Sequence, residues 1–572
     1  MNRPDLKAVK HPAGKDLFRT GFTFAALFTL VLTFALLATG CKKDTDKAKR
    51  KNEEIWEKIM ENDGKRPDLV LAFYAQIHEE LYKKAAEEFG KSHNCTVKLL
   101  CVKSERLTDH SLPDAMEAGS DVPDLVELLD GTMGNFTNGP IENVGFVDLT
   151  DRLREEGYLD PDKMVQRSYS PWSSRGHIFA IPKTVHPVAL CYRVDLIEKL
   201  GIDVTKLKTW DDFVRVGQEI TGEWDYSDYE LGIRRGDKRF MIDFFDDSLI
   251  SLNILLNQRG LDYFDADGNV AFDTPEVAEL IAWFVHQTGG PKRIAVPAGD
   301  GLSFYLSMEK GRELFFFTPD WRTMQYTLDL NFDPRTPEDM KKEPSILKGK
   351  LALMPMPVWA DENGNRLPGS YGTGTWGGVG LAITKHCKNQ ELAWEFAKYL
   401  YLEADDEDFA YRFRKTNIVP AVKRAWSIPG FNDESLYFRQ MVHDNDDDDP
   451  VVRPVFNSKS YDWTAAEAAD AVAEFDDGDE SDKPVVRPIS IGRFYASIAD
   501  DTPPRHVTAY SDKAMRQVYD VYSAARDFYE SKIEEAGDDP DPETLRSIDN
   551  EMLSLIRTQL AEKAALIRKK MK

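Results

Sequence analysis

The sequence predicts an α/β protein that contains more than one sheet. Uninterrupted apolar runs of strand length alternate with segments in which apolar residues recur every three or four positions. Apolar runs without alternation indicate strands that are buried on both faces, as in parallel sheets covered by helices. The chain has 572 residues, of which 42% are hydrophobic and 11% aromatic, so it can form a large core and several domains.

The first elements along the chain establish this alternation. Residues 68–74 read as a buried strand, and the apolar positions from Ile77 to Phe89 recur every four residues, which predicts a helix. Further strands are predicted at 96–101 and 124–129. Strands separated by helices of this length indicate βαβ units in a parallel sheet.

The middle of the chain continues the same pattern. Strands are predicted at 178–182, 188–192, 313–318 and 378–383, and a helix with one apolar face follows at 392–400. These strands are too many and too widely spaced along the chain for a single small sheet. We therefore expect a second sheet.

The C-terminal residues 511–572 predict an α-helical extension. Apolar residues recur at spacings of three and four between Met515 and Tyr529 and again between Leu545 and Leu560. Each pattern gives one apolar stripe per helix, which needs a surface to cover it. We expect both helices to pack on the body of the protein, with an arm that binds a partner protein as the alternative.

The charge of the chain limits its partners. The formal net charge is −25 and the isoelectric point is near 5.0, so the protein should repel phosphates, and we expect no binding to nucleic acid. Five cysteines are too few for a disulfide scaffold, and no metal-ligand or phosphate-binding motif stands out, so we expect no cofactor and no metal. Three acidic runs, at 405–408, 446–449 and 474–482, read as solvated loops, with cation binding or permease docking as the alternative.

The N-terminus predicts export. Basic residues between Arg3 and Arg19 precede an apolar run at 21–39, which ends in small residues before Cys41. This arrangement resembles a bacterial lipobox, so residues 1–40 would be a lipoprotein signal peptide and Cys41 would carry the lipid. An uncleaved membrane anchor is the alternative. Either way the remainder lies outside the cytoplasm, and the charged residues 41–66 serve as a tether.

A series of motifs in this order resembles the family 1 extracellular solute-binding proteins of ABC importers, which include many sugar-binding lipoproteins. The resemblance covers roughly residues 67–425. It rests on short segments, each weak alone: Pro123–Val126, Gly145–Thr150, Ile181–Pro182, Tyr192–Leu196, Gly201–Asp203, Thr209–Phe213, Met308–Arg312, Gly377–Gly378, Ala382–Thr384 and Ala393–Phe396. One departure is Arg193, which stands where the family usually has Asn.

The resemblance implies a periplasmic-binding-protein-like fold, with two α/β lobes joined by a multi-strand hinge and a ligand cleft between them. The expected boundaries are residues 67–184 and 377–402 for lobe 1, and 185–376 and 403–510 for lobe 2. By analogy with the family, the chain would cross between the lobes near 183–187, 355–376 and 402–410.

Positions at the carboxyl ends of strands and at the crossings give the candidate ligand residues, because open α/β sheets bind ligands there. A sugar needs a flat aromatic platform and hydrogen-bonding groups at its rim. Trp321 and Trp376 are the best stacking candidates. The full set of predicted ligand-binding residues is Tyr74, Gln76, Asp130, Thr184, Asp320, Trp321, Arg322, Tyr371 and Trp376.

The expected function follows from the resemblance. The protein would capture a small solute, expected to be a carbohydrate, by closure of two lobes, and deliver it to the permease subunits of an ABC transporter without acting as an enzyme. It would be extracytoplasmic and held at the membrane through Cys41. Two alternatives stay open: a cell-surface glycoside-degrading enzyme, and a surface lipoprotein without a transport role.

Overall fold

A computed structural model describes residues 65–571 apart from 103–110, 138, 224–237, 245–248, 299–301, 329–348, 444–483 and 538–539; Leu107, Gly236 and Leu347 are described within these gaps. The predicted signal peptide, Cys41, nearly all of the tether and the acidic runs at 446–449 and 474–482 lie outside the described residues. Within them, no helix combines the length and the apolar character needed to span a membrane.

The strands are numbered in chain order. They are β1 Leu69–Phe73, β2 Val97–Cys101, β3 Leu125–Leu129, β4 Ser173–Ser174, β5 His177–Ile178, β6 Ile181–Pro182, β7 Val188–Arg193, β8 Gly222–Glu223, β9 Lys238–Asp243, β10 Ala295–Val296, β11 Glu313–Pro319, β12 Leu351–Pro355, β13 Val379–Ile383, β14 Glu434–Val442 and β15 Val485–Ser490.

The α-helices are numbered in the same way. They are α1 Gln76–His93, α2 Ser111–Glu117, α3 Thr150–Glu155, α4 Val194–Lys199, α5 Trp210–Ile220, α6 Ile250–Gln258, α7 Pro275–Thr288, α8 Leu302–Lys310, α9 Asp320–Leu328, α10 Gln390–Tyr401, α11 Asp406–Thr416, α12 Ile491–Ala499, α13 Ser511–Ala536 and α14 Pro542–Met571. Short 3₁₀ turns include Gln166–Trp172 and Lys423–Ser427.

Two large sheets organise the described chain. One has five strands in the order β2-β1-β3-β13-β6, and the other has eight, in the order β10-β9-β11-β7-β12-β14-β15 with β8 beside β9. We call the parts of the chain around these sheets lobe 1 and lobe 2. The prediction of more than one sheet is confirmed.

The sheet of lobe 1 is mixed rather than wholly parallel. β2, β1 and β3 run parallel, as predicted, but β13 runs antiparallel to β3, with Val379 opposite Leu129. The reason is the path of the chain, because β13 enters lobe 1 directly from lobe 2. It therefore starts at the cleft edge, where β3 ends.

The C-terminal extension is helical and packs on lobe 2, as predicted. Met552, Ile556 and Leu560 of α14 are at most 1% exposed. Tyr522 of α13 lies against Phe284 of α7, with ring centroids 5.1 Å apart, and its hydroxyl is 3.0 Å from Thr288 Oγ1. The apolar stripes are thus covered by the body of the protein.

The acidic run at 405–408 is the start of a helix rather than a solvated loop. The side chain of Asp405 accepts a hydrogen bond from the backbone N–H of Asp408 at 2.7 Å and so caps α11. Carboxylates are stabilised at a helix N-terminus by the unpaired N–H groups and the helix dipole. Tertiary packing of this helix, not charge repulsion, decides the local structure.

Candidate functional site

A small open pocket lies where the segments that join the two lobes meet lobe 1. Its lining comes from three regions that are far apart in the sequence: a 3₁₀ turn of lobe 1, the segments that cross between the lobes, and a stretch just before the C-terminal helices. The lining residues are Arg167, Ser168, Ser170, Pro171, Trp172, Thr184, Val185, Thr375, Gly377, Gly378, Thr502, Pro503 and Arg505.

The crossing segments are tied together by backbone hydrogen bonds. Val188 N–H donates to the carbonyl oxygen of Gly374 at 3.1 Å, and Trp376 N–H donates to that of His186 at 3.3 Å. A third segment, which follows α11 instead of lying at the expected 402–410, joins them through an isolated bridge between Thr184 and Pro420. These strands form a multi-strand hinge, as the resemblance implied.

Trp321 and Trp376, the predicted stacking pair, lie together. Their ring centroids are 5.3 Å apart and their planes are at 77°, and both side chains are half-buried. The guanidinium of Arg322 lies over the Trp376 ring, 4.9 Å from its centroid. The structure therefore brings these three predicted residues into one cluster beside the crossing that carries Trp376.

Asp130 forms an ion pair with Arg505, and its side chain is only 7% exposed. The pair uses Asp130 Oδ2. Asp130 Oδ1 and Thr375 Oγ1 are buried, and neither has a hydrogen-bond partner within the described part of the chain. Buried polar atoms without partners are costly. Thr375 lines the pocket and Asp130 is paired with Arg505, which also lines it, so these two atoms indicate a place where a polar ligand can supply the missing hydrogen bonds.

The carboxylate of Asp320 is hydrogen-bonded to residues of the hinge. Its Oδ1 lies 2.6 Å from His186 Nδ1 and accepts from the backbone N–H of Trp321 at 2.7 Å, while Oδ2 accepts from Val419 N–H at 2.7 Å. Its partners thus come from the first and third crossing segments. His186 has a φ of 52°, a left-handed conformation that costs energy in a non-glycine residue and needs such contacts to hold it.

The remaining predicted residues differ in their distance from the pocket. Thr184 lines the pocket, with Oγ1 2.9 Å from His186 Nε2, and Tyr371 is covered by the guanidinium of Arg167 at 4.5 Å from its ring centroid. Tyr74 lies at the end of β1 against the ring of His78, and Gln76 begins α1 with an exposed side chain. Of the nine predicted residues, only Thr184 is among the described residues that line the pocket; Trp376 lies between two lining residues in the sequence, Thr375 and Gly377.

Trp172 is a pocket residue that sequence reasoning missed. It is 1% exposed, and Gly380 of β13 packs so closely on it that a Cβ there would lie 2.6 Å from the indole. Trp172 follows Pro171 in a 3₁₀ turn, so no strand or helix periodicity marked it. The glycines that precede β13 were the one sequence feature that could have indicated a large side chain packed closely against this strand.

A buried carboxylate in lobe 1 organises the first crossing. Glu127 accepts hydrogen bonds from the hydroxyls of Tyr82 and Tyr401, lies 2.6 Å from His78 Nδ1, and has Lys183 Nζ at 3.7 Å. Burial opposes its ionisation, yet the charges of His78 and Lys183 and these hydrogen bonds hold the pKa of Glu127 well below its usual range. The ionised carboxylate anchors the crossing to the sheet.

The comparisons with known proteins agree on one family. The model of bacterial extracellular solute-binding proteins matches residues 74–407. The arabinooligosaccharide-binding proteins of Halalkalibacterium halodurans and Bacillus subtilis are 24% and 25% identical over 374 and 381 residues, 64% of this chain and 71% and 74% of the relatives.

Solved structures show the same fold. The sugar-binding protein MalE from the phytopathogen Xanthomonas citri has a TM-score of 0.56 at 13% identity, with 87% of this chain and 99% of that one covered. An extracellular solute-binding protein of family 1 has a TM-score of 0.54 at 14% identity, with 85% and 99% covered. The fold is therefore periplasmic-binding-protein-like, and because the family model matches more than half of its residues, the chain belongs to the bacterial extracellular solute-binding protein family.

Proposed function

We propose that this protein captures a short oligosaccharide outside the cytoplasm and delivers it to the permease subunits of an ABC importer. The observation that carries this proposal is a pair of buried polar atoms without partners in the described residues. Thr375 Oγ1 belongs to a residue that lines the pocket, and Asp130 Oδ1 belongs to a carboxylate whose partner, Arg505, lines the pocket with the buried indole of Trp172. A sugar offers C–H faces to aromatic rings and hydroxyls to such atoms. We propose Thr184, Trp321, Arg322, Tyr371 and Trp376 as further contacts.

The relatives support the choice of an oligosaccharide. Both curated relatives described above are named as arabinooligosaccharide-binding proteins.

Lobe closure would make capture selective. Asp130 belongs to lobe 1 and Trp321 to lobe 2, so only the closed arrangement presents both to one solute. Moving a lobe equilibrium from about 1:99 to 99:1 requires roughly 5.5 kcal/mol of differential binding. Stacking and a few hydrogen bonds can supply that energy, and the permease would recognise the closed form.

The bonding of the carboxylates to other protein groups supports a protein that binds its solute without hydrolysing it. Glycoside hydrolysis requires two carboxyl groups about 5–9.5 Å apart that face the substrate. Asp320 accepts from three protein donors, and Asp130 is paired with Arg505. Product formation from an oligosaccharide would contradict this part of the proposal.

A thermal-shift screen tests the proposed function. The mature chain would be heated with arabinotriose, maltotetraose, a peptide and a polyamine, each at a concentration far above a micromolar dissociation constant. A ligand at 100 times its Kd should add about 2.7 kcal/mol of stability. Stabilisation by the peptide or the polyamine, and by neither saccharide, would overturn the carbohydrate assignment.

A matched pair of variants localises the site. Asp130→Asn removes one acceptor charge at the pocket and should abolish most of the saccharide shift. Asp151→Asn makes the same change at a carboxylate of lobe 1 that is 84% exposed and should leave the shift intact. Equal shifts in both variants would place the sugar elsewhere.

We further propose that Cys41 is lipidated and anchors the protein to the membrane. The basic leader and apolar run before Cys41 support this. Cys41→Ala should release the protein from the membrane fraction. Retention at the membrane with residues 1–40 present in the intact mass would support the uncleaved anchor instead.

The expected lobe boundaries also stand as a proposal. Residues 403–510 were expected in lobe 2, but α11 contacts both lobes: Tyr411 donates to Glu80 of α1 at 2.9 Å, and Asn417, which ends the helix, donates to Thr323 of α9 at 3.0 Å. This helix therefore belongs with the hinge as much as with either lobe.

A further inference from the structure

A short segment of the C-terminal region returns to the cleft. Residues 500–508, which we call the cleft strap, connect α12 to α13 and lie beyond the residues 74–407 that match the family model. Thr502, Pro503 and Arg505 of the strap line the pocket. The pocket of this chain therefore has a wall that the family match does not include.

The strap is bound to lobe 1 through backbone and side chain. Arg167 Nη1 donates to the carbonyl oxygen of Thr502 at 3.0 Å, and the backbone N–H of Arg505 donates to Ser170 Oγ at 2.9 Å. A Cβ at Gly134 would overlap the backbone of Thr508, so only glycine permits this approach. The contacts fix the strap against the 3₁₀ turn that carries Trp172.

The strap is also bound to lobe 2. The backbone N–H of His506 donates to Asp262 Oδ2 at 2.8 Å. Asp501 Oδ2 accepts from the backbone N–H of Gly372 at 2.8 Å and pairs with Arg366. Because one segment of nine residues contacts both lobes, its position depends on how far the lobes are closed.

Arg505 and Asp130 form a donor and acceptor pair at the pocket. The Arg505 side chain is 25% exposed and lines the pocket, while Asp130 Oδ1 has no partner within the described residues. A guanidinium carries five N–H donors, and here one side-chain hydrogen bond is made to Asp130. The pair therefore offers guanidinium donors and a carboxylate acceptor within one ion pair, which are the two kinds of group that two adjacent hydroxyls of a sugar ring require.

We propose that the cleft strap is the third wall of the solute site and that Arg505, together with Asp130, binds a vicinal diol of the solute. This inference rests on the proposed function and deepens it, because it names the part of the sugar that the site recognises. The segment that leads into the C-terminal extension is then part of the receptor's specificity.

Calorimetric titration of the mature chain with arabinotriose and with maltotetraose tests this inference. For whichever saccharide binds the wild type, Arg505→Ala should raise the Kd at least tenfold. The double variant Asp130→Asn/Arg505→Ala should be little weaker than either single variant, since the two residues act as a unit. Arg557→Ala, on the helical extension that follows the strap, is the matched control; its partner is Glu279 at 3.5 Å, and it should leave the Kd within twofold.

Hydrogen–deuterium exchange of the free protein tests, without any ligand, whether the cleft strap is held in place against both lobes. The amides of Arg505 and His506 should be protected, because each donates to a side chain of a different lobe. Saccharide binding with an unchanged Kd in Arg505→Ala would overturn this inference and leave the proposed function standing. If neither saccharide binds the wild type, the proposed function is contradicted. If these amides exchange at the rate of an unstructured peptide, the cleft strap is not an ordered wall, and this inference fails whatever the titrations show.

Discussion

Trp321 and Trp376 meet edge to face where lobe 2 approaches the hinge, and Nε1 of Trp321 donates to the backbone carbonyl oxygen of Trp376 at 3.1 Å. The two indoles come from the start of α9 and from the second crossing segment. Their geometry is therefore set by the relative position of a lobe and the hinge. A stacking platform built in this way changes with closure.

Trp376→Ala should weaken saccharide binding about tenfold to a hundredfold, since an aromatic side chain contributes about 1.5–3 kcal/mol when it is buried. The unfolding temperature should change little, because the side chain is half-buried. Titration calorimetry and a thermal scan check both parts. Trp210→Ala, in the aromatic cluster of lobe 2 with Trp283 and Trp359, should do the opposite and lower stability with little effect on affinity, because the Trp210 side chain is 1% exposed.

Asp320→Ala should lower the free energy of unfolding by about 3 kcal/mol or more. It leaves the N–H groups of Trp321 and Val419 and one nitrogen of His186 without their acceptor, and each buried unsatisfied group costs about 1–3 kcal/mol. Urea denaturation measures the change. If the variant keeps wild-type stability and loses only affinity, Asp320 serves the solute, as the sequence had suggested, rather than the hinge.

Strands and helices that are marked by a pattern among neighbouring residues could be predicted from the sequence. The uninterrupted apolar runs at 69–73 and 379–383 are strands with every residue buried, and the stripe on α14 is covered as its spacing predicted. The order of weak motifs identified the family, which the family match confirms. Each of these signals depends on residues close together in the chain.

The site depends on contacts between distant residues, and these left no sequence pattern. Arg505 and Asp130 are 375 positions apart, and Glu127 is a lone charge in a strand that otherwise reads as apolar. Its partners Tyr82 and Tyr401 come from two different helices. Periodicity reports which face of an element is buried, but not which polar groups meet there, so the strap and the buried carboxylate could not be foreseen.

Met552→Ala on α14 should destabilise the protein by about 2–5 kcal/mol, because the side chain is fully buried against the body and its loss leaves a cavity. Leu566→Ala on the same helix removes a side chain that is 53% exposed and should change stability by less than about 0.5 kcal/mol. Urea denaturation of both variants checks this. Similar small losses would mean that the helix is loosely attached, and the extension would then be free to act as an arm.

The titration of Lys183 makes the free energy of unfolding depend on pH in the alkaline range. Burial lowers the pKa of Lys183 to about 8 in the folded chain, although Glu127 opposes this shift, whereas an unfolded lysine titrates near about 10.4. Between these values the unfolded chain holds more protons than the folded chain. This residue therefore makes the free energy of unfolding rise as the pH rises through that window.

Lys183→Met should remove that contribution, so the wild-type free energy of unfolding minus that of the variant should increase from pH 8 to pH 10. Taking the difference cancels the titration of groups that do not contact Lys183. Lys91→Met, at an exposed lysine of α1, is the control and should give a flat difference. Urea denaturation at each pH measures it. A flat or falling difference for Lys183→Met would show that the ammonium is solvated and that the first crossing is held to lobe 1 by the tyrosines and His78 rather than by a buried charge.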